Sequence, residues 1–80
     1  MAGRRAYNEA AVYEIRVGGR LDPRWSQRLA GMAVCPAPDG DTLLVGTVVD
    51  QAALYGLFRR LRDLGLVLVS VRRLPPEPGA

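Results

Sequence analysis

The sequence predicts a small α+β domain, and three observations carry that expectation. Tyr13, Ile15 and Val17 alternate with Glu14, Arg16 and Gly18, the period of two that marks a half-buried strand. Leu54, Leu57, Phe58, Leu61 and Leu64 recur at helical spacing and form one apolar stripe. Asp50 stands where it can cap the first free N–H groups of that helix, and Gly65 where a left-handed residue can close it. Third, the helix runs directly into an apolar stretch, residues 66–71, with no charge before Arg72.

Residues 1–10 show no periodicity and are expected to form a flexible tail. The first strand ends at Gly18-Gly19, and Asp22-Pro23 opens a helix, the carboxylate as cap and proline where its missing N–H costs nothing. Trp25 and Leu29 would share a face of this helix, and Gly31 would stop it after about two turns. Residues 32–37 read as a short strand, Asp39-Gly40 as a tight reversal, and residues 42–49 as the returning strand. Strand, helix, strand, strand, helix, strand, joined by right-handed crossovers, predicts a ferredoxin-like βαββαβ two-layer sandwich over residues 11–74. Its four-stranded antiparallel sheet would carry both helices on one face. Residues 75–80 are proline-rich and cannot continue a sheet, so a second flexible tail is expected there.

Composition narrows the function classes. The 11 cationic residues are all arginine, and they stand in pairs and triplets that give a net charge of only +3. Cys35, the sole cysteine, excludes an internal disulfide and points to a reducing compartment. No stretch approaches the roughly 20 apolar residues that span a bilayer, and no secretory signal opens the chain. A cytoplasmic protein without membrane contact is the expectation. Histidine is absent and no carboxylates stand at ligand spacing, which argues against a metal or any other cofactor. Cys35 has no activating base and reads as a small packed residue of the second strand. No Walker or GxGxxG pattern follows a strand. The element order is also that of an RNA-recognition motif, which stacks bases on aromatics of its two central strands. Here the third strand has no aromatic or cationic residue, and Tyr13 lies on the apolar parity of the first, so nucleic acid is not the expected partner. Arg59, Arg60 and Arg62 read as a solvated helix face.

The strand pattern points instead to self-association. In the predicted topology the second and fourth strands are the sheet edges. Pro36 and Pro38 blunt the second, whereas the fourth has no proline and is apolar on both parities, Leu66 and Leu68 on one side and Val67, Val69 and Val71 on the other. The helix-free face is expected to add Val12, Leu44 and Val48, since the third strand is apolar on both parities as well. A domain this small buries little surface, so a second copy would add burial. Candidate contacts to another protein or a small ligand are Trp25 with Arg24 and Arg28, and Tyr55 and Arg59 with Gly56, whose place inside a helix suggests close packing against a neighbour.

Tyr13-Glu-Ile-Arg-Val17, Leu21-Asp-Pro-Arg-Trp25, Asp50-Gln-Ala-Ala-Leu54 and Ser70-Val-Arg-Arg73, in that order, resemble blocks of a group of short, uncharacterised bacterial proteins. The likeness covers about residues 12–74 and implies a stand-alone small domain, with no catalytic residue or ligand to carry over. The expected function is a non-enzymatic homo-oligomeric interaction module, with a regulatory domain that senses a small molecule between protomers as the alternative.

Overall fold

The computed structural model describes residues 10–75. The tails expected at residues 1–10 and 75–80 therefore lie, apart from Ala10 and Pro75, outside the described residues. Strands β1 (Ala11–Gly18), β2 (Ala33–Pro36), β3 (Thr42–Val48) and β4 (Val67–Arg73) form one antiparallel sheet in the order β2-β3-β1-β4. One α-helix, α1 (Gln51–Asp63), joins β3 to β4.

The segment expected as the first α-helix is a 3-10 helix, Pro23–Leu29. Strands and α-helix thus run β-β-β-α-β, and the expected βαββαβ order is not matched. Asp22 does cap the segment, its carboxylate accepting the Arg24 N–H at 2.9 Å. Seven residues close few i→i+4 bonds, and a 3-10 helix advances about 2.0 Å per residue against about 1.5 Å for an α-helix. The tighter winding gives this short connection more reach between β1 and the edge strand β2. It ends on Ala30, left-handed at φ 58°, with the Gly31 N–H bonded to the Ser26 carbonyl and the Ser26 hydroxyl bonded to the Met32 carbonyl.

Helix α1 has the ends the sequence predicts. The Asp50 carboxylate accepts the Ala53 N–H at 2.8 Å. At the other end Gly65 (φ 74°) donates to the Arg62 carbonyl and Leu66 to the Leu61 carbonyl, the paired bonds of a Schellman cap. Of the apolar stripe, Leu54, Leu57 and Leu61 are buried and Phe58 is half-buried. Leu64 stands at the cap, past the last helical residue, and is exposed.

These leucines join Tyr13, Ile15, Val17, Leu29, Met32, Leu44 and Val48 in one core. Pairing of Ile15 with Leu44 and of Ala11 with Val48 sets the parity of β3. Directly opposed residues of an antiparallel pair share a face, so Leu44 and Val48 lie on the helix side and not on the open face where they were expected. The open face carries Leu43, Val45 and Thr47 in their place. Gly46, on the inward parity opposite Tyr13, makes room for Met32: a Cβ there would stand 2.7 Å from the Met32 sulfur.

Strand β4 departs from its expected pattern in one respect. Val17 pairs with Leu68 and Arg16 with Ser70, leaving Val69 as the extra residue of a bulge. The bulge resets the parity, so Val71 shares the helix side with Leu68 and does not lie with Val67. Cys35 is exposed and not packed, because its opposition to Leu43 turns it to the open face.

Candidate functional site

The edge formed by β4 is the first candidate. Val67, Leu68, Val69 and Val71 are 66%, 45%, 52% and 39% exposed, a run of aliphatic side chains outside the core. Leu66, by contrast, is half-buried and packs on the core of its own chain. Leu68 and Val71, opposite Val17 and Ile15, stay exposed although they lie on the helix side of the sheet. The backbone of this edge is also oriented for pairing. The Leu74 N–H bonds the Val12 carbonyl at 2.8 Å, so by the alternation of an antiparallel ladder Arg72 and Ser70 also turn their N–H and C=O groups toward β1. Val71 and Arg73 then turn theirs outward, away from β1, on the side where no strand of the described residues pairs.

Of the residues expected beside this edge, Val12 is 39% exposed on the open face, opposite Thr47. Leu44 and Val48, at 0% and 6% exposure, belong to the protomer's core and present no surface to a partner. The open face is also more polar than its apolar residues suggested. Arg72 pairs with Glu14 across the strands at 3.4 Å, and Arg16 reaches Asp39 at 2.8 Å and Asp41 at 3.4 Å in the β2–β3 turn. Asp41 also accepts the Gly19 N–H, and the Thr42 hydroxyl accepts from Leu21 and donates to the Gly19 carbonyl. These contacts tie the end of β1 to the hairpin. The aliphatic side chains left exposed beside these contacts lie along the β4 edge.

The second candidate lies on the 3-10 helix, which packs against β2 at the opposite edge of the sheet. Three residues per turn place Arg28 one turn after Trp25, and its guanidinium sits 5.0 Å from the centre of the indole ring. Leu29 is buried in the core, and Trp25 is half-buried and packs against that same core. Arg24, Trp25 and Arg28 line an open depression of about 270 Å³. Arg24 is also paired with Asp22 at 3.0 Å; this hydrogen-bonded pair holds the Asp22 carboxyl below its ordinary value and raises the Arg24 guanidinium above its own.

The neighbour that joins this group was not expected from the sequence. Arg60 of α1 donates from Nη1 to the Arg28 carbonyl at 2.9 Å, and Arg28, Arg60, Asp63 and Leu64 line an adjoining depression of about 230 Å³. No spacing rule links residues 28 and 60; only the packing of α1 on the 3-10 helix brings them together. Tyr55, Gly56 and Arg59 line neither depression. Tyr55 is 61% exposed and meets Phe58 edge to face at 6.4 Å, and a Cβ added to Gly56 would touch nothing within 4 Å, so close packing does not explain that glycine. A further concavity of about 290 Å³ lies where β1 leads into the 3-10 helix, between Arg20, Leu21, Asp22, Pro23, Pro36 and Thr42.

Among the described residues, no three His, Cys, Asp or Glu side chains cluster as metal ligands, and no helix is long and apolar enough to cross a membrane. A family model described as a domain of unknown function (DUF8691) matches residues 12–72, more than half of the chain. No curated protein and no solved structure matches it.

Proposed function

Since the chain belongs to the family described as a domain of unknown function (DUF8691), which carries no assigned chemistry, we propose its function from the β4 edge: a non-enzymatic module that assembles with copies of itself. The observation behind this reading is the combination of outward backbone groups at Val71 and Arg73 with four exposed aliphatic side chains on one proline-free edge strand. Unprotected edges of this kind template pairing with another strand, and a two-fold axis beside β4 would continue the sheet into a second protomer. In this reading the domain is a ferredoxin-like sandwich whose first helix is shortened to a 3-10 segment. It acts in the cytoplasm, and its partner is itself, with another protein able to bind the same edge. Nucleic acid is not a partner, since the open face presents ion pairs and aliphatic side chains where a base-stacking sheet presents aromatics.

The edge claim has its own test in amide hydrogen exchange. Pairing predicts slow exchange at Val71 and Arg73 in the assembled protein and fast exchange at both in Val69→Glu, which places a carboxylate in the interface. Fast exchange at Val71 and Arg73 in an oligomer would move the interface off this edge.

A second reading, a regulatory domain that senses a small molecule, has one observation in its favour. The concavity between Arg20 and Thr42 lies at the end of β1 and the start of the 3-10 helix. A thermal-shift screen against amino acids and nucleotides tests it, because a ligand specific for the folded state raises the midpoint by mass action.

A further inference from the structure

We propose that each protomer binds a small phosphate ester at the depression formed by Arg24, Trp25 and Arg28, with Arg60 as a third cation beside it. Among the described residues, Arg16, Arg24, Arg62 and Arg72 each stand within ion-pair distance of a carboxylate, and Arg20, Arg28, Arg59, Arg60 and Arg73 do not; of these five, Arg28 and Arg60 line one depression together. Arg28 is instead held over the Trp25 ring, an arrangement that occupies the guanidinium face and leaves its N–H groups for an acceptor. Arg60 commits one nitrogen to the Arg28 carbonyl, which braces the 3-10 helix against α1 and keeps the two guanidinium-bearing residues together.

The chemistry of the group selects the ligand class. Guanidinium groups suit the oxygens of a phosphate, which accept paired charge-assisted hydrogen bonds, and a dianion is matched by more than one cation. Trp25 adds an apolar surface against which the organic part of an ester can lie, and Leu64 does the same in the adjoining depression. Two carboxylates temper the field, Asp22 on Arg24 and Asp63 at the wall shared by Arg28 and Arg60. They leave an excess of positive charge. The size limits the ligand: about 270 Å³ lies just below the roughly 300–1,000 Å³ of sites for drug-sized molecules, so the ligand is small.

This site differs from the self-association surface in position and in requirement. It rests on the 3-10 helix and α1 of one chain, and that helix packs at the β2 side of the sheet. Its occupancy does not depend on the β4 edge, and the two ideas fail separately.

Trp25 is the only tryptophan, so its fluorescence reports on the site directly. Phenyl phosphate titrated at constant ionic strength should produce a saturable change, with inorganic phosphate weaker and phenol without effect. Arg28→Gln should weaken binding roughly tenfold or more, the loss expected for one charge-assisted hydrogen bond. Arg24→Gln, which leaves the Arg28–Trp25 stack and the Arg60 brace in place, should weaken it by less and guards against a folding defect in the first variant. Val69→Glu should bind as the unaltered protein does. Absence of a saturable change with phenyl phosphate would overturn the proposal. Equal response to sulfate and phenyl phosphate, or unchanged binding in both arginine variants, would overturn it as well.

Discussion

Gly56 and Gly46 both lie inside regular elements, and the space around them calls for opposite expectations. A Cβ at Gly56 meets nothing, so the residue carries only the conformational cost of glycine in a helix. Gly56→Ala should raise unfolding stability by about 1 kcal/mol, read as a higher denaturant midpoint at unchanged slope. Gly46 is the reverse case, since a methyl there would press on the sulfur and backbone of fully buried Met32. Gly46→Ala should cost about 1–3 kcal/mol, the range for overpacking a filled core, and the same change should cost less when made in a Met32→Ala background. The sequence singles out Gly56, because a glycine breaking a helical stripe is visible in one dimension. It gives no sign of Gly46, whose reason is a side chain fourteen positions earlier, brought close by the β2–β3 hairpin.

At the scale of elements, what was legible depended on how local the determinants are. Helix α1 was readable to its ends, because the Asp50 cap and the Gly65 closure are interactions among near neighbours. The alternation of Tyr13, Ile15 and Val17 likewise marked the inward face of β1. The 3-10 helix was not distinguishable from an α-helix, since Asp22-Pro23 starts either and the distance to be bridged is set by the sheet. Nor was the Val69 bulge, which depends on how β4 meets Arg16 and Val17. The orientation of β4 yields a paired test. Val71→Pro removes an N–H that points away from β1, so the protomer should stay folded while edge pairing is lost, read as a fall to monomer mass with native circular dichroism. Arg72→Pro removes an N–H that points at β1 and should cost about 1–3 kcal/mol of stability in thermal or denaturant unfolding. Equal effects of the two prolines would contradict the ladder phase assigned here to β4.

For the whole molecule, the sheet order and single core follow from the strand pattern, but the assignment of surfaces does not. Leu43 and Val45 alternate with Leu44 and Val48, so β3 reads equally well in either parity until Ile15 is seen to oppose Leu44. That one register places Leu44 and Val48 in the core, while four exposed aliphatic side chains remain on β4. The open face is crossed by the Glu14–Arg72 pair and the Arg16 contacts to Asp39 and Asp41, so charged groups stand among its aliphatic side chains. If the β4 edges pair, the mass of the full chain in solution is that of an oligomer. Sedimentation equilibrium at micromolar concentration should return a mass at least twice the 8.7 kDa of the chain, falling to that of one chain in Val69→Glu. A single chain mass for the unaltered protein, held across the concentration series, would contradict it.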